Sequence, residues 1–217
     1  MTSLAERILD ALPQTQCTRC GFADCRAYAQ AIADGSAPID QCPPGGQAGV
    51  DRLAGLTGQA SRPLNPAFGL EGPRSVAVID ESWCIGCTLC VKACPTDAIV
   101  GASKFMHTVM EPYCTGCGLC LPPCPVDCID MVALPGSATG WSAWSPEQAA
   151  QARLRYELHS RRCLQDESGQ SEQIEAACAL TAPESQPAPL GTQADKKRAA
   201  AQAALERARA RRTAPPG

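Results

Sequence analysis

Hydrophobic residues in this chain recur at helical spacing in short stretches and alternate in still shorter ones. Leu4, Ile8 and Leu12 share one face of a 3.6-residue period behind Ser3 and Glu6, a capping-box pair, so a short helix is predicted that ends near Pro13. Residues 27–33 predict a second short helix stopped by Gly35. Residues 47–74, rich in Gly, Pro and Ala and punctuated by Pro63, Pro66 and Pro73, read as a linker with one helical turn at 50–56. Short strands are predicted at 76–80 and 108–111, and short helices at 96–99 and 126–129. Past residue 134, Ser145, Pro146 and Gln148 combine a cap, an N1 proline and a capping-box glutamine, opening a helix with Leu154 and Leu158 on one line. Residues 184–191 are proline-rich and predicted disordered, and they precede an Ala, Arg and Lys segment at 196–212.

These elements are too short to enclose a large core. The chain has 217 residues with 19 Pro, 18 Gly, 15 Cys and only 4% aromatics, so bound metal has to replace much of the missing apolar burial. A secreted disulfide framework would also use many cysteines, but residues 1–12 form a capped polar helix rather than a basic start and an apolar run, so the cysteines read as reduced and the protein as cytoplasmic. No stretch reaches the 18 or so apolar residues of a membrane span.

Twelve of the cysteines fall into three sets of four. Two sets are copies of one C-x2-C-x2-C-x3-C-P pattern offset by thirty residues: Cys84, Cys87, Cys90, Cys94 and Cys114, Cys117, Cys120, Cys124. Three thiolates on one tight loop can hold three irons of a cubane, and the fourth, ahead of a proline, lies too far along to close the same site. The pattern thus predicts two [4Fe-4S] clusters with crossed ligation. Cluster I takes Cys84, Cys87, Cys90 and Cys124, and cluster II takes Cys94, Cys114, Cys117 and Cys120. Each copy repeats an aromatic before the first cysteine (Trp83, Tyr113), a glycine before the second (Gly86, Gly116) and an isoleucine five residues past the fourth (Ile99, Ile129). Zinc pairs more often come as separated C-x2-C clips, which disfavours zinc here.

The third set, Cys17, Cys20, Cys25 and Cys42, has a different spacing. The two predicted N-terminal helices flank its loop, so that Cys42 folds back on Cys17, Cys20 and Cys25. Spacing alone leaves both a [4Fe-4S] cluster and a four-cysteine zinc site open.

Residues 14–46, QTQCTRCGFADCRAYAQAIADGSAPIDQCPPGG, resemble the iron–sulfur domain of the B subunit of Rnf-type electron transport complexes. The stretches VAVIDESWCIGCTLCVKACPTDAIVGASKFMHTV and YCTGCGLCLPPCPVDCIDMV resemble the ferredoxin domain of that subunit, so the resemblance spans roughly residues 1–134. It implies an electron carrier with three [4Fe-4S] clusters that exchanges electrons with redox protein partners, among them Rnf-type membrane subunits. The hydrophobic N-terminal helix typical of the family has no counterpart in residues 1–12, so the expectation is a soluble carrier, cytoplasmic or peripheral at the cytoplasmic face of the inner membrane.

The expected fold class is α+β. A small helical 4Fe-4S domain (1–59) is followed by a linker (60–74) and a bacterial-type 2[4Fe-4S] ferredoxin-like domain (75–134, with repeats at about 75–104 and 105–134). A helical and disordered C-terminal extension (135–217) completes the chain. Residues 76–134 carry six acids against Lys92 and Lys104, net −4, which suits basic redox partners. The segment 195–212 carries +5, a solvated tail or a weak tether to an anionic surface. It lacks interleaved aromatics, so stacking on nucleic acid is not expected. A nucleic-acid or assembly module with structural clusters is the alternative of another class. A radical enzyme would leave one iron without a cysteine, whereas each set here supplies four, and no phosphate-binding glycine loop follows a strand. Cys128 reads as a packed thiol near cluster II. Cys163 and Cys178 have no partners at ligand spacing, and His107 and His159 read as surface or strand-edge side chains.

Overall fold

The computed structural model describes residues 2–136 and 138–180, with side chains described as far as residue 165. The proline-rich segment 184–191, the basic segment 196–212 and the Cys178 side chain lie outside the described residues. The chain divides into two units, 1–124 with 128–160 and 125–127 with 161–217.

In the first unit α1 spans Leu4–Ala11 and α2 spans Cys25–Ala33. Ser3 caps α1 by accepting from the Glu6 amide at 3.2 Å, and Asp24 caps α2 by accepting from the Ala27 amide at 2.6 Å, so α2 starts two residues before the predicted helix. The supposed linker opens with a full helix, α3 (Gly46–Thr57), three turns where the sequence predicts one. Val50, Leu53 and Ala54 recur at i, i+3 and i+4 and are buried against Ile8, Leu12, Tyr28, Ile32 and Ile39, forming the hydrophobic core of the N-terminal segment. Burying each of the larger side chains is worth about 1.5–3 kcal/mol, which outweighs the two interior glycines at about 1 kcal/mol each. Gly58, at φ +71, ends α3 with a left-handed cap.

Residues 60–74 run over this core and are bonded to it. Asn65 donates its amide to the Asp40 carbonyl at 2.9 Å, and the Glu71 carboxylate accepts from the Gln47 amide at the start of α3 at 2.8 Å.

The duplicated segment builds two small antiparallel sheets, β1 (Ser75–Ile79) with β4 (Ile129–Ala133) and β2 (Ile99–Val100) with β3 (Thr108–Val109). Under the thirty-residue offset β2 corresponds to the start of β4, and β3 to part of β1. Each sheet therefore pairs a strand of one copy with a strand of the other, and the copies interlock.

The helices predicted after each Cys-Pro do not form. Asp97 and Asp127 turn the chain in the left-handed region (φ 49 and 48), and Ile99 and Ile129 enter strands instead. A run of four residues carries too little periodicity to separate helix from strand, and strand partners from the other copy decide it. The short helix of the first copy is α4 (Leu89–Ala93), which precedes Cys94.

After β4, a 3-10 turn at Gly140–Ala143 buries Trp141, whose indole N–H donates to the Ala11 carbonyl at 2.6 Å. Arg52 lies over the same ring, 4.2 Å from its centroid. The last element, α5 (Pro146–Leu180), begins with the expected capping box, Ser145 and Gln148 exchanging amide bonds at 2.9 and 3.2 Å. Within the first unit Arg153 of this helix pairs with Glu6 at 2.8 Å and Tyr156 donates to Asp24 at 3.0 Å, so the early part of α5 covers α1 and the start of α2. In the second unit, residues 125–127 form the turn at Asp127, and the backbone of α5 continues from residue 161 to Leu180.

Candidate iron–sulfur sites

Each four-cysteine set assembles as a group of mutually interacting thiols. Cys114, Cys117 and Cys120 come from the loop of the second copy, and Cys94 of the first copy joins them in one cavity closed by Ala77, Ala98, Ile99 and Met131. The converse holds for Cys84, Cys87 and Cys90, where Cys90 faces the other two and Cys124. At the N-terminus Cys42 faces Cys25, Cys17 and Cys20. None of these twelve cysteines is in a disulfide.

The electrostatics suit a cationic guest. Burial pushes Cys25 and Cys120 up to about 12 and Cys117 to about 11, and neighbouring thiolates add to the effect. Holding these buried thiols deprotonated together calls for a multivalent metal centre against their sulfurs. The donor set, four cysteine thiols at each site, fits iron–sulfur clusters.

The backbone also turns toward the sulfurs. The Ala77 amide donates to Cys114 Sγ at 3.4 Å, and thirty residues on the His107 amide donates to Cys84 Sγ at the same 3.4 Å. The Ala98 amide donates to Cys94 Sγ at 3.2 Å. Such bonds stabilise charge on sulfur and help set a cluster's potential. The loops reach this shape through left-handed residues, Gly86 and Gly116 at φ 67 and 70, where a Cβ would strike backbone 2.6 and 2.3 Å away.

The N-terminal loop is held differently, by residues that the motif reading passed over. Gln14, Gln16 and Thr18 all adopt positive φ (59, 54 and 57), and Gln14, Thr15 and Gln16 are buried. Gln16 donates to the Gln14 side-chain carbonyl at 3.2 Å and accepts from the Cys25 amide at 3.0 Å, joining the loop to the start of α2. Strain of about 1–2 kcal/mol per left-handed residue is offset by these buried bonds and by the packing around them. The available signal was two glutamines between Pro13 and Cys17 with no apolar neighbours to explain them. Thr115, beside Cys114, donates to the Thr15 carbonyl at 3.0 Å, so the loop of the N-terminal set abuts that of the second ferredoxin set.

Two sequence expectations change, those for Cys128 and His107. Cys128 packs 3.6 Å from Cys124 Sγ, placing it beside the first set rather than the second, and burial raises it to about 12 so that it stays a thiol. His107 is not at a surface: it is 1% exposed, with Nδ1 at 3.4 Å from Cys90 Sγ and 3.7 Å from Cys84 Sγ. His159 is partly buried and its Nδ1 lies 2.8 Å from Asp97.

Comparison with known proteins matches residues 77–131 to a 4Fe-4S dicluster domain and residues 12–44 to a putative Fe-S cluster domain. With the interlocked cysteine loops, these matches define an iron–sulfur electron-transfer protein of the ferredoxin class. The B subunit of the ion-translocating oxidoreductase complex of Azoarcus sp. is 59% identical over 138 residues, 64% of this chain and 75% of that protein. The protein of the same name from Alkalilimnicola ehrlichii is 54% identical over 152 residues, 69% of this chain and 81% of its own length. That of Thiobacillus denitrificans is 61% identical over 107 residues, 49% of this chain and 57% of its own length. The chain belongs to the family of these B subunits, and its role is that of an iron–sulfur electron carrier. No solved structure matches it. Among the described residues no helix is long and apolar enough to cross a membrane.

Proposed function

We propose that this chain carries three [4Fe-4S] clusters and serves as the peripheral electron-carrying subunit of an ion-translocating, Rnf-type membrane complex at its cytoplasmic face. The observation that carries this reading is the gathering of all twelve motif cysteines into three mutually facing sets. Cys17, Cys20, Cys25 and Cys42 hold one cluster, Cys84, Cys87, Cys90 and Cys124 the second, and Cys94, Cys114, Cys117 and Cys120 the third. When bound, each cubane takes up and releases one electron and transforms no substrate.

The protein's own part is to fix geometry and environment. Left-handed loop residues turn amides toward sulfur, apolar walls such as Ala77, Ile99 and Met131 keep water from the second ferredoxin set, and the Thr115–Thr15 bond keeps two of the three sets adjacent. Crossed ligation makes each ferredoxin site depend on both copies, which resists their separation.

Anaerobic purification with iron, sulfide and zinc counted per chain, followed by electron paramagnetic resonance of the reduced protein, tests the reading. About twelve irons with spin-coupled [4Fe-4S] signals are expected. About eight irons with one zinc would make the N-terminal set structural and overturn the three-cluster assignment. Retention on detergent-extracted membrane flavoprotein subunits tests the assembly part, and failure to co-purify with them counts against it.

A further inference from the structure

We propose that His107 acts as a positioning residue that raises the reduction potential of the cluster held by Cys84, Cys87, Cys90 and Cys124, and leaves the other two clusters unchanged. The inference rests on the ligand assignment proposed above.

His107 lies just ahead of β3 and is clamped there. Gly101 makes room for the ring: a Cβ at that position would sit 2.0 Å from His107 Cδ2. The residue is 1% exposed, and its backbone nitrogen and ring Nδ1 both face ligand sulfur. The amide donates to Cys84 Sγ at 3.4 Å, and Nδ1 lies 3.4 Å from Cys90 Sγ and 3.7 Å from Cys84 Sγ. The remaining nitrogen, Nε2, is buried with no hydrogen-bond partner.

A metal-bound cysteine sulfur can only accept, so the proton must sit on Nδ1, and Nε2 is then a bare lone pair. The orphaned atom is thus an acceptor, the less costly kind to leave unmet. With the opposite tautomer, two lone pairs would oppose each other at Nδ1 and an N–H would be buried unpaired at Nε2. Packing alone would call for an apolar ring in this position.

The internal duplication supplies a control within the same molecule. Thirty residues earlier the equivalent position is Ala77, whose amide makes the matching 3.4 Å bond to Cys114 Sγ. Its methyl group offers nothing further to the second set. The copies thus agree in their backbone donors and differ in the ring donor. Reduction adds negative charge that spreads onto sulfur, so a donor there favours the reduced form. Arg74, which donates to the Cys114 carbonyl at 3.1 Å, acts near the other set and stays in place when His107 is changed.

The test uses the full chain loaded anaerobically, with potentials read by protein-film voltammetry and paramagnetic-resonance titration. His107→Phe keeps the ring and removes the donor, whereas His107→Asn keeps an amide nitrogen near Nδ1. One ferredoxin wave should fall by about tenfold in its reduction equilibrium in His107→Phe, which is about 59 mV for a one-electron couple. The other two waves should hold, and His107→Asn should recover most of the loss. No movement at full iron content, a common shift of all waves, or equal shifts in the two variants would overturn the proposal. Should His107→Phe lose iron, the wild-type protein labelled with 15N-histidine decides: a hyperfine coupling from a histidine nitrogen to one reduced cluster is expected, and its absence overturns the proposal. An error in the ligand assignment shows separately, as a missing ferredoxin wave and about four irons too few in the wild-type protein.

Discussion

Alanine at Gly116 and at Gly118 should have sharply different effects, although both glycines lie in the same cysteine loop and both have positive φ. Gly118 sits at φ +76 with nothing within 4 Å of a built Cβ, and its counterpart in the first copy, Thr88, already carries a side chain at φ 63. Gly116 sits at φ +70 with the Ser75 carbonyl oxygen 2.3 Å from the built Cβ, and its counterpart Gly86 is blocked by backbone in the same way. A left-handed alanine costs about 1–2 kcal/mol, partly offset by about 0.4–1 kcal/mol from the less flexible unfolded chain. Gly118→Ala should therefore lose about 1 kcal/mol or less. Gly116→Ala must also push away the first residue of β1, which pairs with Ala133, adding about 1–3 kcal/mol as overpacking does. Its total of about 2–4 kcal/mol corresponds to a fall of about 5–12 °C in the temperature at which cluster absorbance is lost, against about 4 °C or less for Gly118→Ala. Iron content per chain should fall only in Gly116→Ala. Equal losses in the two variants would refute the reasoning, because the left-handed backbone is common to both and only the approach of Ser75 separates them.

Removing the Trp141 ring tests the tie between the 3-10 turn and the N-terminal core: Trp141→Ala should cost about 3–5 kcal/mol and Trp141→Phe clearly less, read as thermal stability, and an unchanged midpoint for Trp141→Ala would contradict the described contact. Thr115→Val leaves the buried Thr15 carbonyl without its donor and should cost about 1–3 kcal/mol, while a stability equal to wild type would mean that the bond between the two loops is dispensable. Cys128→Ala should retain the full iron complement, because the thiol sits beside Cys124 without completing a set; a deficit of about four irons would make it a ligand. Glu6 is held below its usual 4.5 by hydrogen bonds from Arg153 and then Arg26. Since the folded value is depressed, the stability it adds is complete above 4.5 and fades as pH falls through the folded value. The gap in midpoint between wild type and Glu6→Gln should accordingly close on acidification, and shrink in high salt at neutral pH because the pair is exposed; a gap independent of both would exclude an ionic origin.

What the sequence determined by itself was whatever depends on spacing along the chain. A three-cysteine loop, its following Cys-Pro and the thirty-residue repeat are local facts, and they carried the iron–sulfur reading, the expectation of crossed ligation and the family resemblance. The caps at Ser3 and Ser145 were legible for the same reason, since a capping residue and its amide lie three positions apart. Tertiary structure decided everything that needed a distant partner. Ile99 and Ile129 are strand residues because Val109 and Ile79 pair with them across the duplication. The α3 segment is a long helix because Val50 and Leu53 meet a core supplied by α1 and α2. His107, an isolated histidine in the sequence, acquires its chemistry only where Gly101 opens a space and Cys84 and Cys90 converge on it from about twenty residues away. Ligand spacing is set by the reach of a few peptide units, whereas the groups that adjust a bound cluster arrive through packing, which no local pattern encodes.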